Sequence, residues 1–507
     1  MSDARRSPQP ITVLDLFAGC GGLTEGFHQF RPAEWNEPVF RSVGAVEWDG
    51  PAAASYEMNF GASSPRNRYF EPPVVLCRDI VGWVPGWKPG EVEVVVGGPP
   101  CQGFSGLNRN GVGADRNTLW QEFIRVVVAL RPKVFVIENV DRFVRSPEFA
   151  DLQERIGNGD LTDYQLVEAP ESKAEDTDRQ RARRYLLNAA DYGAIQARRR
   201  AIVIGVRGNT DDDPRVERLQ YPARTHIKDA LDHQSMLEEM DLYPNEPKPW
   251  RTVDRLFDVT EQLELKGTDL PSVTAEIDGI EVQGPFMTSQ LHFTRSPEAV
   301  SLARYEAIPP GGNRKDLRGR YVCWLDDGSS MIIQRCNSYR DEAGKLLVSG
   351  QYVAVIGGEA TTKRYTVVDC VPVSASDARR SARSKAEVFI GTVRKGRKEF
   401  RASLEYLSTP SWDSHDTGAG DVMGRMRLGA PSVTVRTEFF KPEKGRYLHP
   451  TAHRPITHYE AAMIQGFPDD FRWCGSKTAI ARQIGNAVPI PLGRAIAGAI
   501  YEYLRSS

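Results

Sequence analysis

The sequence predicts an α/β protein, a doubly wound domain of strands and covering helices that is split in the chain by a β-rich insertion. Three observations lead there. Over the first 210 residues, short apolar runs bounded by turn residues alternate with stretches of helical period. From about Arg207 to Arg436 that rhythm is lost, and after His449 it returns. Strands covered on both faces read as continuous apolar runs rather than alternating ones, and βαβ repetition places them in one parallel sheet.

The runs follow in order. ITVLDLFAG ends in Ala and Gly, and GGLTEGFHQF after it has helical spacing. SVGAVEWD, VVLCRDI, EVEVVVGG and KVFVIENV are further short strands. Between the last two, NTLWQEFIRVVVALRP reads as a helix, with Asn117 or Thr118 at its cap and Pro132 beyond its end. In the middle region YVCWL, SMIIQRC, YVAVIGG, RYTVVDC and AEVFIGTV are β-like. Charge is uneven there: between Thr361 and Glu405 stand 11 Lys/Arg against 5 Asp/Glu, net +6 on a chain of net −2. Near the end, ITHYEAAMIQGF is helical and ARQIGNAVPIPLGRAIAGAIYEYL reads as a loop plus a final helix. The expected layout is residues 1–210 as the first part of one domain, 211–436 as the insertion with a variable centre at about 322–410, and 437–507 as the return.

Composition excludes several classes. At 40% apolar and 26% charged residues the chain is globular rather than disordered or fibrous, and 507 residues suffice for two to four domains. No apolar run approaches the ~18 residues of a membrane span, and MSDARRSPQP lacks the apolar stretch of a secretory signal. The balance of 65 Lys+Arg against 67 Asp+Glu argues against a histone-like coat on nucleic acid, but not against a local basic surface. Seven scattered cysteines without a CxxC pair, and eight histidines without HExxH, support neither a disulfide framework nor a metal site. A reducing cytoplasm is the expected compartment, with no metal.

DLFAGCGGLTEGF follows a strand and opens a helix, so Gly19, Gly21 and Gly22 permit a tight turn and close approach of a ligand to the helix N-terminus. The next strand ends in Glu47-Trp48-Asp49, where a carboxylate can accept both hydroxyls of a ribose. Asp79 of RDI, at the third strand's tip, suits an adenine amino group. Together the three tips describe a nucleoside pocket. In VVVGGPPCQGFSG a buried strand runs through two prolines to Cys101 and a glycine-rich loop. A cysteine at a strand tip suits a nucleophile, because the thiolate is the reactive form and needs access. The other six cysteines read as packing residues.

These segments, in this order, resemble the DNA (cytosine-5)-methyltransferase family of the bacterial restriction-modification type. The motifs that carry the resemblance are DLFAGCGG, VEWD, RDI, GGPPCQGFS, DRNTLWQEF, VIENV, QARRRAIVIG, RPITHYEAAMIQGFPDDF and RQIGNAVP. The resemblance implies a Rossmann-like S-adenosylmethionine-dependent methyltransferase domain with a β-rich target-recognition insertion, and S-adenosyl-L-methionine as methyl donor. It implies that Cys101 adds to carbon 6 of a cytosine, that Glu138 serves ring nitrogen 3 as an acid, and that Arg200 contacts the ring carbonyl oxygen while Arg198 holds the cysteine and its loop. Arg199 between them reads as surface charge. Phe17, Gly19, Gly21, Glu47, Trp48, Asp79 and Ile80 match donor contacts, and Asn486 and Val488 close the methionine end.

A duplex cytosine must leave the stack to reach such a pocket, at a cost of a few kcal/mol. The loop from Gln102 to Arg116 would close over it, with Ser105 and Arg109 as candidate DNA contacts. HFTRSPEAVSLARYEAIPPGGNRKDL and DVMGRMRLGAPSVTVRTEFF resemble the framing segments of the recognition region. Its basic stretch from Lys363 to Arg401, and Arg394, Lys395, Arg397 and Lys398 in particular, suits contact with phosphates and base edges. The expectation is a monomeric enzyme on double-stranded DNA, partnered by a separately encoded restriction endonuclease and lacking the long N-terminal regulatory modules of eukaryotic relatives. A tRNA cytosine-5 methyltransferase and a non-catalytic DNA-binding regulator are the alternatives. The first would have a smaller insertion and another residue at Gly103, and the second would have lost Cys101, Glu138 or the donor pocket.

Overall fold

The computed structural model describes residues 9–35, 37–66, 69–100, 118–208, 219–228, 246–373, 387–414 and 421–505. Its first half runs β1 (Ile11–Leu16), α1 (Gly22–Gln29), β2 (Phe40–Glu47), α2 (Gly50–Phe60), β3 (Val74–Cys77), β4 (Val94–Gly97), α3 (Thr118–Leu130), β5 (Val134–Asn139), α4 (Pro147–Asn158), β6 (Tyr164–Leu166), α5 (Asp178–Arg184), β7 (Leu186–Asn188) and β8 (Arg199–Arg207). These strands form one sheet in the order β3-β2-β1-β4-β5-β8-β6, with β7 also on β8. The helices form where apolar residues repeat at helical spacing: in α3, Trp120, Phe123, Ile124, Val127 and Leu130 are all buried.

The first five strands in that order are parallel. β8 runs antiparallel to β5, and β6 and β7 antiparallel to β8. The five apolar runs read from the sequence as strands of one parallel sheet are thus parallel, and the antiparallel strands are ones outside those runs. Ala201–Ile204 of β8 are as buried as any parallel strand, and burial on both faces carries no record of direction. The order reverses between β1 and β4, whose ends meet where Leu16 pairs with Gly97. In open α/β sheets that crevice, outside the carboxyl ends of the strands, is where ligands bind.

The C-terminal segment completes this body. Leu492, Ile496 and Ile500 of the last helix, Ile490–Arg505, share one core with β1, β4, β5 and β8. A second core joins Tyr56 and Phe60 of α2 to Phe286, Phe467, Phe471, Trp473 and Ile480. The helix His458–Gln465 starts on a reciprocal cap between Thr457 and Glu460 and stops at Gly466 in the left-handed region, φ 91°. ARQIGN, expected as loop, is helical: Lys477–Asn486 is capped by Ser476, whose Oγ accepts from Ala479 N, and it buries Ile480 and Ile484. A cap four residues upstream of the apolar repeat outweighs the glycine at its end.

The insertion contains a closed antiparallel barrel of six strands, Arg320–Leu325, Ser330–Arg335, Gly350–Ile356, Glu359–Pro372, Val388–Lys395 and Lys398–Tyr406. Tyr321, Tyr352, Val367, Val393, Leu404 and Tyr406 fill it. Closure removes the edge strands that would otherwise invite pairing with other chains. The sixth strand is hidden in the sequence because KEFRASLEY alternates charged with apolar residues, and its charged face is solvated. At the barrel's foot Arg425, buried and without a carboxylate partner among the described residues, donates to the carbonyls of Tyr305, Ile308, His449 and Ala452. No helix among the described residues is long and apolar enough to cross a membrane.

α1 crosses the last helix at glycines. A Cβ on Gly26 would stand 2.8 Å from Gly493 Cα and from Arg494 N, backbone atoms that cannot rotate away. Gly26→Ala should therefore push the two helices apart and destabilise the fold by about 1–3 kcal/mol, the usual cost of overpacking. The check is a lowered thermal unfolding midpoint. An unchanged midpoint would show that the crossing has slack.

Candidate active site

The crevice has two sides. On the first, the turn after β1 needs unusual backbone: Phe17 (φ 57°), Gly19 (φ 56°) and Gly21 (φ 89°) all lie in the left-handed region. Gly21 is also sterically obligatory, since a Cβ there would come within 2.3 Å of the Phe60 ring. At Gly19, by contrast, a Cβ would meet nothing within 4 Å. Glu47, at the end of β2, is buried and gripped by two backbone N–H groups: Gly19 N donates to Oε2 at 2.8 Å and Asp49 N to Oε1 at 2.8 Å. Burial pushes its carboxyl above the usual range, though these hydrogen bonds oppose the shift.

Trp48 beside it is 77% exposed. Asp79 is exposed two residues past β3, its Oδ1 accepting from Val81 N at 3.0 Å, while Ile80 is buried in the main core. Asn486 is exposed at the end of its helix and Val488 is buried, its backbone 3.3 Å from where a Cβ on Gly22 would sit. Phe17, Gly19, Gly21, Glu47 and Val488 thus converge on one turn. Open space over Gly19, a bare indole face and a carboxylate held by N–H donors fit a ligand with an aromatic base and a ribose, which is the nucleoside half of S-adenosylmethionine.

On the second side, Glu138 near the end of β5 faces Arg200 near the start of β8, with Arg200 Nε 2.8 Å from Glu138 Oε1. The pair is charge to charge, its angle outside hydrogen-bond geometry. Asn139, next in the chain, donates from Nδ2 to Pro99 O at 2.9 Å, and a Cβ on Gly98 would stand 3.1 Å from Glu138 Oε2. The Gly-Gly-Pro-Pro strand tip is therefore held against the carboxylate. Cys101, Ser105 and Arg109 lie outside the described residues.

Arg198 is 1% exposed. Its Nη1 donates to Val435 O and its Nη2 to Gly485 O, both at 2.8 Å, and its Nε is buried with no partner. Burial, with Arg200 adding to it, holds this guanidinium well below the usual arginine range. Two buried amides work beside it. Gln196 accepts from Val435 N at 2.9 Å and donates to Gln465 Oε1 at 2.8 Å, and Gln465 donates to Ile484 O at 2.6 Å. Sequence reasoning missed Asn139, Gln196 and Gln465. The available signal was an amide side chain inside a motif, at a position that burial demands be hydrogen-bonded.

A cavity of about 490 Å³ opens beside Arg200, lined also by Asp141, Asn188, Arg199, Trp250 and Arg436. Away from this crevice, Arg394, Lys395, Arg397 and Lys398 cluster at one barrel hairpin. Lys395 pairs with Lys398 across a turn with Gly396 at φ 59°. Arg394 pairs with exposed Glu399 at 2.8 Å, and Lys395 Nζ stands 5.9 Å over the Tyr365 ring.

Comparison with known proteins agrees with this geometry. The profile of the family described as C-5 cytosine-specific DNA methylase matches residues 11–264 and 358–502, together well over half the chain. The DNA (cytosine-5)-methyltransferase PliMCI of Paracentrotus lividus is 28% identical over 521 residues, which cover 96% of this chain and 28% of that protein. The type II methyltransferase M.AgeI of Thalassovita gelatinovora is 27% identical over 506 residues, covering 97% of this chain and 99% of the relative. The type II methyltransferase M.XorII of Xanthomonas oryzae pv. oryzae is 27% identical, over 98% of this chain and 86% of its own. The chain spans just over a quarter of the Paracentrotus protein and most or all of the two bacterial ones. By its profile match, carried through both halves of the split domain, the chain belongs to the C-5 cytosine-specific DNA methylase family.

Proposed function

We propose that this chain transfers a methyl group from S-adenosyl-L-methionine to carbon 5 of a flipped-out cytosine in a specific sequence of double-stranded DNA, and that it protects host DNA from a separately encoded type II restriction endonuclease. The observation that carries the reading is the Glu138–Arg200 pair at 2.8 Å, set against the strand tip that leads through Pro99 to Cys101. The restriction-modification role is supported by relatives named as type II methyltransferases along nearly their whole length. Residues 1–210 and 437–507 would form the catalytic domain and 211–436 the recognition region. The six described cysteines are all free, which suits a reducing cytoplasm, and the chain is read as acting there as a monomer.

Carbon 5 of cytosine is too weak a nucleophile to take a methyl group unaided. The Cys101 thiolate would form a bond to carbon 6, and the ring's displaced electron pair would make carbon 5 nucleophilic. Glu138 would hold a proton at ring nitrogen 3 during that addition, and Arg200 would move from Glu138 toward the ring's carbonyl oxygen. Once carbon 5 has taken the methyl group, its proton would pass to water and the released electron pair would re-form the carbon 5–carbon 6 double bond, expelling Cys101 as thiolate. S-adenosylmethionine, when bound, supplies an electrophilic sulfonium methyl. Glu47 would hold its ribose, Trp48 and Asp79 its adenine, and Phe17, Gly19, Gly21, Ile80, Asn486 and Val488 would shape its pocket.

The overall reading is tested by expressing the protein in a host and sequencing the bisulfite-treated DNA. A single methylated sequence context is expected, and unmethylated DNA would overturn the proposal. Cys101→Ser should abolish transfer while leaving donor binding nearly intact, and the wild type should be trapped covalently on DNA containing 5-fluorocytosine. Normal turnover by the serine variant would remove Cys101. Glu138→Gln keeps the shape but not the acid, so turnover should fall by about 10²–10⁴, with much less change in DNA affinity, as read by single-turnover kinetics and binding titrations.

Recognition is assigned to the barrel hairpin. Replacing Arg394, Lys395, Arg397 and Lys398 with alanine should flatten the plot of log affinity against log salt by about 0.9 for each phosphate no longer neutralised. Donor affinity should stay constant. An unchanged slope with unchanged sequence preference would reduce this cluster to a solvated turn.

A further inference from the structure

The cavity beside Arg200 carries charge that the catalytic residues do not account for. Three arginines line it, against the single carboxylate of Asp141. Arg200 is answered by Glu138. Arg199 and Arg436 are both exposed; among the described residues neither has a carboxylate within ion-pair distance, and Arg199 feels only the longer-range attraction of Asp191. On a chain of net charge −2, this is a local concentration of positive charge.

Their placement is fixed rather than incidental. Ala197 N donates to Ser432 O at 2.8 Å and Ser432 N to Ile195 O at 2.8 Å, knitting the approach to β8 to the segment that returns from the barrel. Arg198 and Gln196 add bonds to Val435 O and N. Arg198 and Val435 are buried, while their chain neighbours Arg199 and Arg436 are exposed and line the same cavity. Trp250, also in the lining, has its indole N–H committed to Asp191 Oδ1 at 2.8 Å. It offers the cavity an apolar ring rather than a donor.

We propose that this cavity seats the sugar-phosphate backbone of the DNA strand beside the displaced cytosine, with Arg199 and Arg436 each holding a phosphate and the Trp250 ring packing against sugar. A guanidinium fork matches a phosphate's oxygens two at a time, and phosphate contacts set the register in which a base is presented. Gripping the backbone here offsets part of the unstacking cost of the nucleotide that must reach Glu138 and Arg200. The identity of the anion as DNA rests on the functional reading above; the exposed arginines in the cavity wall do not. Arg199 and Arg436 are positioning residues, acting through the backbone on where the base lands.

The test measures binding of a mixed-sequence DNA duplex at several salt concentrations by the full chain and by Arg199→Gln, Arg436→Gln, the double variant and the charge-preserving Arg199→Lys. Each glutamine should lower the salt slope by about 0.9, the double variant by about twice that, and the lysine variant should keep the wild-type slope. S-adenosylmethionine affinity should be unchanged in all, which also reports an intact fold. On methylatable DNA the glutamine variants should raise KM for DNA more than they lower kcat. Unchanged slopes in both single variants would overturn the inference, whether or not the wild type methylates. Tighter binding of an RNA stem with the same loss of slope would overturn DNA as the occupant. Reduced slopes in a protein that makes no 5-methylcytosine would sink the proposed function and leave the phosphate contacts standing.

Discussion

A guanidinium with no ion-paired carboxylate among the described residues holds the two parts of the α/β body together. Arg198 sits in the interior and spends both Nη groups on backbone carbonyls, Val435 O and Gly485 O. Those carbonyls belong to segments more than two hundred residues away, one returning from the barrel and one ending a C-terminal helix. A buried charge left unpaired is prohibitively costly, so the cation is tolerable only when both segments are in place. Gln196 and Gln465 extend the same joint with neutral amides. Arg198 thus fixes the segment returning from the barrel and the C-terminal helix against the edge of the crevice. Arg425 repeats the device at the foot of the barrel, gathering four carbonyls from distant stretches of chain.

The two carboxylates of the crevice are held in different ways, and the difference suits different tasks. Glu47 is fixed by peptide N–H groups on a tight turn, donors that do not move, as befits a residue that holds a ligand in one pose. Glu138 is answered by an arginine side chain, which can swing. On the proposed reading, where Glu138 trades this partner for an incoming base, a side-chain cation suits the exchange better than a fixed peptide dipole.

Much of this was legible in the sequence because the signals were local. Buried runs such as VVVGG and VFVIENV read as strands, and residues at their tips, Glu47, Asp79 and Glu138, fall at one sheet edge by topology alone. The direction of β8 was not legible, because a strand buried on both faces has the same composition either way. The strand Lys398–Tyr406 was hidden by its basic face, where charge masks the alternation. Arg199 read as surface charge, and it is indeed exposed; what the run of three arginines does not show is that it lines the same cavity as Arg200. Gln196 and Gln465 lie 269 residues apart, beyond the reach of any pattern along the chain.

The barrel closes on itself between its first and last strands: Tyr321 pairs with Tyr406, and Leu407 N donates to Arg320 O at 3.0 Å. The module consequently enters and leaves the rest of the protein through one narrow doorway. Whatever length of chain loops out beyond that doorway, the distance spanned by the flanking segments stays the same. The module can thus be lengthened or shortened without disturbing the spacing of the residues around the crevice. A module joined to the body at a single place can change in length or sequence while the strain of that change stays within the module.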